Sequence, residues 1–200
     1  MAFNIAILNH CFFTKDHLRR LRRLGKIAIY NDTDSKEKAI QRLKDVEIAV
    51  ANGLFAPLSK EVLEKTNGLK LLIVNSTGFD FVDMETARAR GILVANVPNF
   101  STEAVAEHVF ALMLAVMKKI PIADMKMRLA PFEINPAEKN SEFLLGNTLR
   151  GKTLGIIGLG AIGQRVAKIG RAFGMDIIAY NRTAKIFPHI KMAPIKEVLQ

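Results

Sequence analysis

The chain of 200 residues contains one cysteine, Cys11. A single thiol excludes an intramolecular disulfide and any metal cluster built on several cysteines, and it suits a reducing cytoplasm. Two phenylalanines follow it, a context that reads as packing rather than reactivity. Long apolar runs are missing too. The most apolar helical stretch, residues 109–117, has nine uninterrupted apolar residues, against the roughly 20 that a membrane-spanning helix needs. Asn4, Asn9 and His10 interrupt the first apolar run and no basic segment precedes it, so no signal peptide is expected. Acidic residues are few beside basic ones, 19 against 29, for a net charge of +10. Such a charge raises nucleic acid or an acidic membrane as a partner. The densest basic cluster is Arg19, Arg20, Arg22, Arg23 and Lys26, with Leu18, Leu21 and Leu24 threaded through it. That is the pattern of an amphipathic helix with a solvated basic face, without aromatic interleaving or a groove-binding motif. Neither nucleic acid nor membrane is an expected partner. The charge favours encounter with small anions.

Half of the residues are hydrophobic and about a quarter charged, as in a globular protein of one large or two small domains. Strands are expected at 4–8, 26–30, 46–51, 69–74 and 92–95. Helices are expected at 15–24, 35–44 (capped by Asp34 or Ser35), 59–65 and 83–90, the last stopped by Gly91. Five strands alternating with helices predict a doubly wound parallel sheet, whose ligands gather at the carboxyl ends of the strands. The loops of interest are therefore 51–57, 75–80 and 96–102. Residues 96–99 read as a linker, with Ser101 or Thr102 capping a helix over 102–119. That helix is apolar around most of its circumference, through Val105, Val109, Phe110, Leu112, Met113, Leu114, Val116 and Met117, so a sheet or a second subunit should cover it. Pro121 should end or kink it, with 122–129 resuming the helix. Residues 131–150 read as a long irregular connection of the kind that forms arms, lids or interfaces.

The most informative stretch is 152–180, KTLGIIGLGAIGQRVAKIGRAFGMDIIAY. Gly158, Gly160 and Gly163 stand in G-x-G-x-x-G order after an apolar strand, Thr153–Ile157. Behind them Ile162, Val166, Ile169 and Phe173 recur at helical spacing. A strand-turn-helix context turns a weak glycine pattern into a dinucleotide fingerprint. Gly158 permits the tight turn, Gly160 lets backbone approach a pyrophosphate, and Gly163 lets helix and strand pack closely. The segment Gly158, Leu159, Gly160, Ala161, Ile162 and Gly163 is thus the candidate cofactor loop, with an anion at the positive helix N-terminus. A glycine-rich turn of some other α/β protein is the alternative.

The fingerprint expects Asp or Glu at the tip of the second strand to hold the ribose 2′-OH. Here the strand Asp176–Tyr180 is followed by Asn181, Arg182 and Thr183, and Asp176 lies at its wrong end. Asn removes repulsion against a 2′-phosphate and Arg182 can pair with it, so the cofactor reading leans to NADP over NAD. The other reading makes Arg182 a solvated loop residue, with NAD bound through Asn181.

Two blocks in order, LLIVNSTGFDFVDMETARARGILVANVPNFSTEAVAEHVFALML and LRGKTLGIIGLGAIGQRVAKIGRAFGMDIIAY, carry a family resemblance. The chain resembles the D-isomer-specific 2-hydroxyacid dehydrogenases, and in particular the glycerate dehydrogenase or hydroxypyruvate reductase branch. The resemblance implies a flavodoxin-like substrate domain, residues 1–97, followed by the first half of a Rossmann domain, residues 98–200, with the active site in the cleft between them. It implies that backbone amides of Ser76, Thr77 and Gly78 hold the substrate carboxylate, in a nest where Gly78 supplies conformational freedom. The resemblance also implies that the loop around Asn52, Gly53 and Leu54 approaches the substrate from the other side, and that Thr102 contacts the cofactor near its nicotinamide half. An ordinary strand-to-helix turn and a plain helix cap are the alternatives for these two positions.

The family's reaction moves hydride between nicotinamide C4 and C2 of a small 2-keto or 2-hydroxy acid, such as hydroxypyruvate and glycerate or glyoxylate and glycolate. An Arg polarises the carbonyl, and a His tuned by a Glu exchanges the proton. The resemblance puts all three beyond Gln200, so no catalytic residue and no metal ligand is expected in this chain, and these 200 residues alone are expected to be inactive. His10, His17, His108 and His189 read as packed or solvated. Family members pair through the 102–120 helix and the arm after it, which implies a homodimer. A non-enzymatic dinucleotide sensor, like the corepressor relatives that share this fold, is the second reading, and a basic nucleic-acid binder the third.

Overall fold

The computed structural model describes residues 2–9, 11–52, 56–129, 145–183 and 186–200. The chain divides into two compact units, Met1–Phe100 and Ser101–Gln200. In the first, five strands alternate with four helices: β1 (Phe3–Leu8), α1 (Lys15–Arg22), β2 (Gly25–Tyr30), α2 (Lys36–Leu43), β3 (Ile48–Ala51), α3 (Lys60–Glu64), β4 (Leu71–Val74), α4 (Met84–Ala89) and β5 (Leu93–Ala95). All pairings are parallel, in the order β2-β1-β3-β4-β5, which is the flavodoxin-like arrangement.

Period-two alternation divides the strand side chains between the two faces of this sheet. Ala6, Leu8, Ala49, Ala51, Leu72 and Val74 form one core with Ala39 and Leu43 of α2, Val62 and Leu63 of α3, and Ala87 of α4. Ile7 and Val50 face the other way, with Cys11 and the half-buried Leu18 and Leu21 of α1. Helix α1 buries no residue completely, and Arg19, Arg20, Arg22, Arg23 and Lys26 are exposed, as a solvated basic face requires. Thr14 caps α1 by accepting from His17 N–H at 3.3 Å, while His17 Nδ1 accepts from Thr14 N–H. His17 is therefore a capping residue. Ser35 caps α2, and Asp83 caps α4 by accepting from Thr86 N–H at 2.8 Å, which holds the Asp83 carboxyl below its usual range.

The second unit holds α5 (Thr102–Met117), α6 (Ile120–Leu129), β6 (Thr153–Ile157), α7 (Ala161–Ala172), β7 (Asp176–Tyr180), β8 (Lys191–Met192) and α8 (Ile195–Val198). Strands β6, β7 and β8 lie parallel in that order, the first half of a Rossmann sheet. The fold is thus a flavodoxin-like unit followed by a partial Rossmann fold. Strand β8 and helix α8 are additions to the expectation from sequence, since two residues between Pro188 and Pro194 carry no readable period.

Three other expectations change. The buried face of α7 is Gly163, Val166, Ala167 and Gly170; of the series Ile162, Val166, Ile169 and Phe173, Val166 is buried and Ile169 packs partly buried against the core, whereas Ile162 and Phe173 are 39% and 41% exposed. Small residues face inward because α5 and the sheet approach closely, and the Phe110 and Phe173 rings stack at 5.3 Å at the margin. Helix α5 is not buried all round. Ala106 and Phe110 are buried, whereas Leu112 is 57% and Val116 74% exposed. The helix break falls at Lys119, in the left-handed region at φ 54°, rather than at Pro121, which is tolerated in the first turn of α6. The connection expected at 131–150 lies largely outside the described residues. Among the described residues no helix is long and apolar enough to cross a membrane.

Leu72 is fully buried at the centre of β4. Leu72→Ala should lower the unfolding free energy of the first unit by about 2–5 kcal/mol, read from urea denaturation; a smaller loss would mean that the face shared with α2, α3 and α4 is loosely packed.

Candidate functional site

The turn after β6 is shaped by its glycines, each for a different reason. Gly158 sits at φ +95°, where a side chain is strained. A Cβ on Gly163 would lie 2.2 Å from Gly158 O, so any other residue there would push the turn off the helix. A Cβ on Gly160 would meet nothing within 4 Å. Its bare backbone borders open space, and that space is where a ligand can come close.

Gly160 is also the N-cap of α7, and no side chain caps this helix. Its first turn holds no acidic residue, in contrast to the side-chain caps of α1, α2 and α4. Gln164 N–H donates to Gly160 O at 2.9 Å, so the N–H groups of Ala161, Ile162 and Gly163 precede the first helical bond. Unpartnered donors and the positive end of the helix dipole together favour an anion. Leu159 contributes differently: its side chain is buried, its N–H donates to Asn181 Oδ1 at 3.2 Å, and its O accepts from Gln164 Nε2 at 3.1 Å. It holds the turn in shape.

Asn181 follows β7 and bridges two loops. Beyond its bond to Leu159, its Nδ2 donates to Thr183 O at 2.7 Å, while Gly158 N–H donates to Tyr180 O at 2.8 Å. The carboxamide is therefore engaged with protein at both ends, and Arg182 and Thr183 are exposed beside it. Asp176 pairs with Thr153 at the far end of β7. Among the described residues at the tip of β7, none is a carboxylate. Thr102 is the first residue of α5, and Ser101, its N-cap, makes no side-chain capping bond. The capping hydroxyl expected from sequence is not supplied there.

In the first unit, the loop after β4 is tied to the end of β5. Val97 N–H donates to Ser76 O at 3.1 Å, Asn96 Nδ2 to Thr77 O at 2.8 Å, and Thr77 Oγ1 to Val97 O at 3.1 Å. Ser76 Oγ donates to Gly78 O at 2.7 Å. Thr77 and Gly78 are exposed. Gly78 is not at positive φ, and a Cβ would come no closer than 3.9 Å, to Asp80 Oδ2. The conformational freedom expected of Gly78 is therefore not needed: the bonds to Asn96 and Val97, not a glycine-only geometry, set the loop. Asn52 is buried directly after β3, with Ala56 N–H donating to its O at 3.3 Å; Gly53 and Leu54 lie outside the described residues.

Among the described residues the remaining titratable groups offer no second centre. Burial pushes the Cys11 thiol up, away from thiolate chemistry. His108 is exposed on α5, His189 is exposed in the loop before β8, and His10 lies outside the described residues. Among the described residues no group of three or more His, Cys, Asp or Glu is placed to hold a metal ion.

Sequence reasoning names Asn52 and Asn181 as ligand contacts but misses the loop-fastening bonds of Asn181 and, altogether, those of Asn9, Asn75 and Asn96. Their signal was present: Asn9, Asn31, Asn52, Asn75 and Asn96 each directly follow a strand of the first sheet, and Asn181 directly follows β7.

A family model described as D-isomer specific 2-hydroxyacid dehydrogenase, catalytic domain, matches residues 5–187. The glyoxylate reductase of Thermococcus litoralis is 35% identical over 170 residues, 84% of this chain and 51% of its own length. Among solved structures, an acyclic imino acid reductase in complex with NADPH and D-Arg aligns with a TM-score of 0.86 at 34% identity, covering 98% of this chain and 61% of that one. The D-lactate dehydrogenase of Aquifex aeolicus, complexed with NAD and lactic acid, aligns at 0.81 with 29% identity, covering 98% and 57%. The chain spans about half the length of the curated relatives it matches. With the flavodoxin-like sheet, the partial Rossmann sheet and the open glycine turn all in place, the chain belongs to the D-isomer-specific 2-hydroxyacid dehydrogenase family.

Proposed function

We propose that residues 98–200 hold the adenosine and diphosphate portion of a nicotinamide coenzyme, and that residues 1–97 hold the carboxylate of a small 2-keto or 2-hydroxy acid. The uncapped N-terminus of α7 beneath the bare backbone of Gly160 is the observation that carries this reading. When bound, the coenzyme supplies or accepts hydride at its nicotinamide. The chain's own residues do the rest: the first turn of α7 receives the diphosphate, Asn181 fixes the turn, and the loop of Ser76, Thr77 and Gly78 offers N–H groups to a carboxylate. The name of the Thermococcus relative supports glyoxylate, and by the family resemblance hydroxypyruvate, as the acid.

The tip of β7 supports NADP over NAD. Asn181 presents a neutral carboxamide, tied to Leu159 and Thr183, where a carboxylate would repel a 2′-phosphate, and exposed Arg182 is free of a carboxylate competitor among the described residues. The two aligned structures carry NADPH and NAD respectively, so either coenzyme suits the fold. The exposed Leu112 and Val116 on α5 support a homodimer through that helix.

Fluorescence titration of the purified chain tests this directly. NADPH should bind more tightly than NADH, and Arg182→Ala should weaken NADPH about tenfold while leaving NADH unchanged. Gly163→Val should abolish binding of both, since its side chain would displace Gly158. If neither coenzyme binds the folded chain, the proposal fails. In light scattering, Leu112→Glu should convert a dimer to monomer; a monomeric parent chain would remove the dimer reading.

A further inference from the structure

Every strand of the first sheet hands its chain to an asparagine, and the three with described side-chain bonds grip a neighbouring loop. Asn9 and Thr33 bond reciprocally: Thr33 N–H donates to Asn9 Oδ1 at 2.6 Å, and Asn9 Nδ2 donates to Thr33 O at 3.0 Å. Asn75 Nδ2 donates to Cys11 O at 3.1 Å. Asn96 Nδ2 donates to Thr77 O at 2.8 Å. A carboxamide offers donor and acceptor without charge, so it can fasten loops at the carboxyl edge of the sheet without repelling an anion gathered there.

Asn96 is the one aimed at the loop assigned to the substrate carboxylate. In a trans peptide the N–H points opposite to the C=O. Asn96 draws the Thr77 carbonyl toward β5, and the N–H of that same peptide, which belongs to Gly78, is turned the other way. Val97 N–H does the same to the Ser76 carbonyl, and so to the Thr77 N–H. Among the described residues no acceptor meets the N–H of Thr77 or Gly78, and both residues are exposed.

We infer that Asn96 is a positioning residue for substrate binding: its side chain holds the Thr77–Gly78 peptide so that Gly78 N–H faces the incoming carboxylate. The inference rests on the reading of Ser76, Thr77 and Gly78 as the carboxylate-binding loop. It adds that the loop is set by a side chain from β5 rather than by its own glycine. A side chain in place of Gly78 would therefore be tolerated better than loss of the amide at Asn96.

The test is oxalate titration of the ¹⁵N-labelled 200-residue chain, following the amide resonances of Thr77 and Gly78, with NADPH affinity measured in parallel. In the parent chain oxalate should shift both resonances. Asn96→Ala should weaken oxalate about tenfold and diminish the Gly78 shift more than the Thr77 shift, because Val97 still holds the latter. NADPH affinity should be unchanged in the variant. Asn96→Leu, which keeps the volume and adds no charge but cannot donate, should weaken oxalate at least as much and serves if the alanine variant does not fold. Equal oxalate affinity in parent and variants would overturn the role of Asn96 while leaving the carboxylate loop standing. No oxalate-induced shift at Thr77 or Gly78 in the parent would remove the loop reading and the inference with it.

Discussion

A strand, a turn and a helix can be stacked tightly enough to aim helix donors at a ligand only where side chains are absent from the contact. In this chain the contact is Gly163 against the carbonyl of Gly158, where a Cβ would stand 2.2 Å from the oxygen. That clearance lets the turn fold down over α7, and the same economy continues along the helix. Ala167 and Gly170 follow on the buried face, and a Cβ on Gly170 would come within 3.0 Å of both Ile177 Cδ1 and Leu154 Cδ2. The helix lies close to the sheet because its inner face is made of small residues. Its N-terminus is consequently held against the strand end, open and positive.

Each unit uses the same device at the carboxyl edge of its own sheet. Parallel strands end together, and the loops that leave them have no ladder to satisfy their backbone groups. Asparagine supplies the missing partners: Asn181 for the glycine turn, Asn96 for the loop after β4, Asn75 for the segment after β1, and the Asn9–Thr33 pair for the loop after β2. A carboxylate could accept in these places but could not make the donations from Asn75, Asn96 and Asn181.

Much of this was readable in the sequence, for identifiable reasons. The alternation of short apolar strands with capped helices gave the five-stranded parallel sheet, because β-runs such as residues 71–74 and caps such as Ser35 and Asp83 act locally. The glycine turn was readable because spacing and context coincide. What was misjudged depends on tertiary closeness. The inner face of α7 follows small residues rather than large apolar ones, since α5 sits within ring-stacking distance. Within the single chain helix α5 leaves Leu112 and Val116 exposed, so its own unit supplies only part of the cover expected for its apolar circumference. Gly78 was credited with a conformational role that Asn96 and Val97 perform, because hydrogen bonds across about twenty residues of sequence leave no local trace. Strand β8 is too short to show a period at all.

The central claim is that the first turn of α7 grips the diphosphate of a dinucleotide. A crystal structure of this chain with 2′-phospho-ADP-ribose tests it most directly. The account expects a diphosphate oxygen within hydrogen-bonding distance of the N–H groups of Ala161 or Ile162, with the 2′-phosphate beside Arg182. A diphosphate bound elsewhere, with the Gly160 backbone facing only solvent, would contradict it.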